Sequence, residues 1–105
     1  MLMIDLVYKK PLSEVEKYVD KHRSFLRKYY EKNFLVVSGP KIPKTGGFIL
    51  ANTTNKDLVK KFIQEDPFYQ KGIADYTVTA FEPVLSSQDF LKIKEKPFQE
   101  SNLEL

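Results

Sequence analysis

Residues 34–51 read Phe34-Leu35-Val36-Val37-Ser38-Gly39-Pro40-Lys41-Ile42-Pro43-Lys44-Thr45-Gly46-Gly47-Phe48-Ile49-Leu50-Ala51. Residues 34–37 form a short apolar run of the kind that makes a buried strand, and Ser38-Gly39-Pro40 stops it. Residues 41–45 read as a loop. Gly46 to Ala51 is a second apolar run with glycines at its start. Two strands thus follow one another, and a helical pattern lies on either side of them.

Upstream, Val15, Tyr18, Val19, His22, Phe25, Leu26 and Tyr29 recur in steps of three and four, while Lys17, Lys21, Arg23, Arg27 and Lys28 take the other sides. That spacing predicts an amphipathic helix over about 13–32. Ser13 and Glu16 have capping-box spacing at its start, and Asn33 sits near its end. Before it, Leu2 to Tyr8 reads as a strand that Lys9-Lys10-Pro11 ends. Downstream, Asn52-Thr53-Thr54-Asn55 offers several N-cap residues. Leu58, Val59, Phe62 and Ile63 then predict a second helix over about 55–65. Asp66-Pro67 ends it, because proline disfavours helical geometry in the residue before it. Residues 67–72 read as a connector. Residues 74–84 are the last strand, with Tyr76, Val78 and Ala80 on one face and Thr77, Thr79 and Phe81 on the other.

The order β-α-β-β-α-β predicts an α+β, ferredoxin-like domain: a four-stranded antiparallel sheet with two helices on one face. The other sheet face is left uncovered, yet both faces of the strands carry apolar residues. A homodimer packed through the sheet face is the expected remedy. Residues 1–84 are expected to form the domain. Residues 85–105 are a C-terminal extension, mixing Lys92, Lys94 and Lys96 with four acids and with Phe90, Leu91, Ile93 and Phe98. It is expected to pack on the domain or on the partner subunit.

At 105 residues with 42% apolar content, the chain is long enough for one cored domain. It has no cysteine. That excludes a disulfide scaffold, thiolate zinc sites, iron–sulfur clusters and a Cys nucleophile. No apolar run approaches the ~20 residues of a membrane span, and the start lacks the features of a signal peptide. The expectation is a cytoplasmic protein with no membrane partner. The net charge of +3 permits an anionic ligand without requiring nucleic acid.

Chemistry-bearing residues are few. The one histidine, His22, lies on the apolar stripe of the first helix. It reads either as a core histidine satisfied by a carbonyl or as a proton-transfer group. A lone histidine without cysteine does not make a transition-metal site. Asp66-Pro67-Phe68 reads either as a helix terminator or as the source of a carboxylate that orients an imidazole on the neighbouring helix. Ser38-Gly39-Pro40 reads either as a strand exit or as a pocket rim. Residues 39–45 lack the glycine before Lys-Thr and carry two prolines, so they are not a phosphate loop. The third strand has Gly46 and Ala51, and the first has Met3, where an RNA-recognition module needs stacking rings, so no nucleic acid is expected.

Together, His22 in the first helix, Ser38-Gly39-Pro40, Gly46-Gly47-Phe48, Asp66-Pro67-Phe68 followed by Gly72, and the closing Phe81-Glu82-Pro83-Val84 resemble the YCII-related family over about residues 1–84. The resemblance implies a dimeric α+β barrel, with two ferredoxin-like sheets facing each other. It implies a pocket with a His–Asp pair, carried here by His22 and Asp66. Ser38, Gly39 and Pro40 are then substrate-binding lining. Relatives with assigned activity act on hydroxylated or lactone-like aromatic metabolites by proton abstraction followed by elimination or isomerisation. The implied activity is a lyase or isomerase that needs no cofactor. The alternative is a non-catalytic small-molecule-binding or regulatory module. The long tail departs from the simplest members, so the substrate class does not carry over.

Overall fold

The computed structural model describes residues 1–95 and Phe98. The elements run β1 (Leu2–Tyr8), α1 (Leu12–Glu16), α2 (Val19–Glu31), β2 (Leu35–Pro40), β3 (Gly46–Ala51), α3 (Lys56–Glu65), α4 (Pro67–Gln70), β4 (Ala74–Ala80) and α5 (Gln88–Glu95). The four strands form one antiparallel sheet in the order β2-β3-β1-β4. This is the ferredoxin-like α+β arrangement expected from the element order.

Register sorts the side chains. Ile4 lies between Ile49 and Val78, and Asp5 lies between Phe48 and Thr77. Alternation then turns Leu2, Ile4, Leu6, Ile49 and Ala51 toward the helices, where they are buried with Val15, Leu26, Val59, Phe62 and Ile63. Burial of this set is the main stabilising term. On the opposite sheet face Met3, Phe48 and Leu50 are half-buried, and Val7 and Val37 are exposed.

Several local expectations are corrected. The helix expected over about 13–32 is two helices with a break at Lys17 and Tyr18. Ser13 makes no cap. The first turn starts one residue earlier, with the Pro11 carbonyl accepting from Glu14 and Val15 at 2.9 and 3.1 Å. The Lys17 and Tyr18 N–H groups then bond three residues back, to Glu14 and Val15. Such tight turns close an α-helix. On either side of the break, Val15 of α1 and Leu26 of α2 both reach the core.

Ser38-Gly39-Pro40 does not stop β2 but continues it, opposite Ile49, Phe48 and Gly47. A strand tolerates proline there because β2 is an edge, where a missing N–H leaves no neighbour unpaired. β4 ends at Ala80 rather than at residue 84, because its register partner in β1 begins at Leu2. The connector at 67–72 holds a one-turn helix. The N-cap of α3 is Asn55, whose side chain accepts from the Asp57 and Leu58 N–H groups at 3.0 and 3.2 Å.

Beyond the sheet, the Lys94 ammonium donates to the Pro83 carbonyl at 3.0 Å. The Phe98 ring meets Phe34 edge-on at 4.8 Å. The remainder of the expected extension, residues 96, 97 and 99–105, lies outside the described residues. Among the described residues no helix is long and apolar enough to cross a membrane.

The β1–β3 pairing sets one tight constraint. A Cβ added at Gly46 would lie 1.8 Å from the Leu6 carbonyl oxygen, whereas one added at Gly39 meets nothing within 4 Å. Backbone cannot yield as a flexible side chain does. Gly46→Ala is expected to cost about 3 kcal/mol or more, against about 0.5 kcal/mol or less for Gly39→Ala, as read by urea denaturation. Equal effects at the two positions would contradict this close approach.

Candidate active site

The site begins at the junction of α3 and α4. Asp66 must be extended because Pro67 follows it, and its φ and ψ are −69° and 128°. It therefore ends α3 and caps α4 in one step. Its Oδ1 accepts the Phe68 N–H at 3.0 Å. The same oxygen lies 2.7 Å from His22 Nδ1, and Oδ2 accepts the Tyr76 hydroxyl at 2.7 Å. Asp66 is 0% exposed, the one buried charged residue among those described. A carboxylate in the interior is tolerable only when its lone pairs are used, and three donors use them here.

His22 reaches Asp66 from the first turn of α2, 44 residues away in sequence. Its side chain is 12% exposed. A carboxylate only accepts, so Nδ1 carries the shared proton. The imidazole also lies flat on the Phe68 ring, with centroids 4.0 Å apart and planes 4° apart. Phe68 thus holds both members of the pair, Asp66 through its N–H and His22 through its ring. Tyr8 in turn meets Phe68 edge-on at 6.1 Å. Among the described residues no group bonds Nε2 of His22.

His22 and Phe68 line a cavity of about 450 Å³, together with Ser38, Gly39 and Pro40. Its apolar wall includes Leu6, Val15, Leu26 and Ile49. Arg23 and Lys44 bring positive charge to it, and Glu16 and Asp20 negative charge. Ser38 does not pair with His22. Its Oγ bonds the Tyr30 hydroxyl of α2 at 2.7 Å, which ties β2 to α2 beside the cavity. Among the described residues no cluster of His, Cys, Asp or Glu is placed to hold a metal ion.

All five residues singled out from sequence gather here: His22 and Asp66 touch, and Ser38, Gly39 and Pro40 line the same cavity as the imidazole. Sequence reasoning missed Tyr76, the ring of Phe68, the Tyr30–Ser38 bond and the cations Arg23 and Lys44. The available signal for Tyr76 was its inward phase in the last strand. The signal for Phe68 was its place directly after the Asp-Pro turn.

The ferredoxin-like sheet thus carries a buried His–Asp pair whose imidazole opens on a small cavity. The YCII-related domain model matches residues 1–82, and the chain belongs to the YCII-related family. The fold is similar to that of the solved 5-chloro-2-hydroxyhydroquinone dehydrochlorinase from Burkholderia phenoliruptrix AC1100, in complex with 2,5-dihydroxybenzoquinone. The TM-score is 0.66 at 22% identity, over 78% of this chain and 94% of that one. At that identity the likeness is one of fold. No curated protein sequence matches the chain.

Burial pushes the Tyr76 phenol well above its ordinary 10.0, and the neighbouring Asp66 carboxylate adds to the shift. Tyr29 is pushed the same way, by burial and by donating to Glu65. An acid whose folded pKa is raised stabilises the fold below its unfolded pKa and loses that contribution as pH climbs toward the folded value. Unfolding free energy should therefore fall above about pH 10, by up to about 1.4 kcal/mol per pH unit for Tyr76. Urea titrations across this range should show a shallower fall in Tyr76→Phe. An identical slope in the variant would contradict the burial of this phenol.

Proposed function

We propose that this protein is a cofactor-independent lyase or isomerase that moves a proton of a small hydroxylated aromatic or lactone-like metabolite. One observation carries the reading. The Nδ1 of His22 is engaged at 2.7 Å by a fully buried carboxylate, and its ring faces a cavity of about 450 Å³. That volume lies within the range of small-molecule sites.

In this reading Nε2 is the general base. It takes a proton from carbon or oxygen of the substrate, and Asp66 stabilises the resulting imidazolium. In elimination, the electrons of the broken C–H bond form the new double bond, and the leaving group departs with its own pair. In isomerisation, the imidazolium returns the proton to a different carbon of the same molecule. Phe68 and the apolar wall suit a planar ring. Arg23 and Lys44 suit an anionic or phenolate oxygen. Ser38, Gly39 and Pro40 hold the substrate edge along β2. The dehydrochlorinase of similar fold supports the class of chemistry, since its complex holds a hydroxylated six-membered ring.

We also propose that two subunits meet through the open sheet face, making a dimeric α+β barrel. Residues 1–84 act as the domain and 85–105 as an arm on the domain or the partner. Half-buried Met3, Phe48 and Leu50 support this, with exposed Val7 and Val37 beside them. Sedimentation equilibrium should give about twice the 12.3 kDa chain mass, and Leu50→Lys should shift it toward the monomer. A monomer for the unaltered protein would end this proposal.

The function is tested with 5-chloro-2-hydroxyhydroquinone, reading chloride release, and with other small hydroxylated aromatics and lactones, reading ultraviolet change. His22→Asn keeps an amide N–H to satisfy Asp66 but has no Nε2. It should fold and lose turnover by about 10²–10⁴-fold. Normal turnover in this variant would refute the acid–base role. Ligands that raise the melting temperature without being consumed would establish a binding module instead.

A further inference from the structure

Asp66 has a second side-chain partner that neither composition nor motif announces. Tyr76 donates its hydroxyl to Oδ2 at 2.7 Å, on the opposite carboxylate oxygen from His22. β4 places the tyrosine: it pairs with Leu6 of the central strand and points to the helix side. Its ring is held edge-on by Tyr69, at 5.9 Å between centroids. Tyr76 also lines a second, open cavity of about 770 Å³ beside α3, rimmed by Lys9, Lys56 and Lys60, which Asp66 itself does not line. The phenol therefore stands between the carboxylate and that second opening.

The carboxylate is held from two directions. The Phe68 N–H and His22 Nδ1 share Oδ1, and Oδ2 rests on Tyr76. The terminal torsion of an aspartate is soft, so the oxygens keep these places only while both sides have donors. Which imidazole nitrogen carries the proton is set by the hydrogen bond made by the other one.

We propose that Tyr76 is a positioning residue: by pinning Oδ2 it keeps Oδ1 on Nδ1 of His22, and so keeps the imidazole lone pair on Nε2, facing the first cavity. Without the phenol, Oδ2 is a buried acceptor lacking a donor. The carboxylate then turns off this line or admits water from the second opening, and Nδ1 loses its fixed acceptor. The phenol's raised pKa keeps it a donor throughout the neutral range. The value of this role for turnover rests on the acid–base reading of His22. The role itself is read without any substrate.

With one histidine in the chain, two-bond ¹H–¹⁵N correlation of the neutral imidazole needs no assignment. The native protein should show the Nδ1–H form. In folded Tyr76→Phe the ratio of Nδ1–H to Nε2–H should fall roughly tenfold, the worth of one hydrogen bond to a charged group. Carbethoxylation of the bare Nε2 by diethyl pyrocarbonate should slow with it. An unchanged ratio and rate in a folded Tyr76→Phe overturn the proposal. If that variant does not fold, 3-fluorotyrosine at position 76 keeps the shape with a stronger donor. It should then move the Nδ1–H resonance, and an unmoved resonance overturns the proposal. A tautomer change in Tyr76→Phe alongside full turnover in His22→Asn would sustain the positioning role while sinking the acid–base function.

Discussion

A carboxylate with no exposed surface is the constraint around which this small domain is arranged. Asp66 is out of contact with water. Replacing an isolated charge's hydration in the interior is costly, and the cost is offset only by donors brought from elsewhere in the chain. Those donors come from three places: the start of α2, the first turn of α4 and the middle of β4. Each donor requires the element bearing it to be in register. The polar centre therefore specifies how helices and sheet meet, where apolar packing alone tolerates shifts.

The break between α1 and α2 and the break between α3 and α4 serve this centre from opposite sides. A continuous first helix would carry His22 at a phase fixed by Val15, seven residues earlier. Seven residues make close to two helical turns, so across the turn at Lys17 and Tyr18 Val15 is still buried on the side where the imidazole meets Asp66. The Asp-Pro turn does the converse. It stops α3, extends the backbone at Asp66, and starts α4 with Phe68 placed to donate to the carboxylate and to lie under the imidazole at 4.0 Å. Helix termini, elsewhere a cost in unsatisfied groups, are here used as ligands of a side chain.

This explains which parts could be read in the sequence. The strand order was legible because period-two and three-to-four spacings report burial directly, and the sheet order follows from few alternatives. His22 was legible as a candidate because it lies on the apolar stripe of its helix, Asp66 because an Asp-Pro step ends the second helix, and the family resemblance named them as a pair. Their contact was not, since no one-dimensional pattern measures a distance between residues 44 positions apart. Ser38-Gly39-Pro40 looked like a strand exit because turn composition and edge-strand composition overlap, and only the sheet order shows β2 at an edge. Tyr76 was hidden for a related reason. An inward tyrosine in a strand reads as core, and its hydroxyl matters only once the carboxylate opposite is known.

On the proposed acid–base reading, the same geometry also bounds what kind of catalyst this would be. Elimination and isomerisation share their first step, the loss of a proton to Nε2, and part only afterwards. The His22–Asp66 pair cannot choose between them, because the base has done the same work in both. The choice belongs to groups that decide whether a leaving anion is stabilised or the proton is sent back. In this cavity those groups are the Arg23 and Lys44 cations set against Glu16 and Asp20, with the Tyr30-bound Ser38 beside them. A cation near the departing group favours elimination. A closed apolar wall around the second carbon favours proton return. On that reading the outcome is set by the lining contributed from α1, α2, β2 and the β2–β3 loop, while the buried centre supplies a proton acceptor common to both.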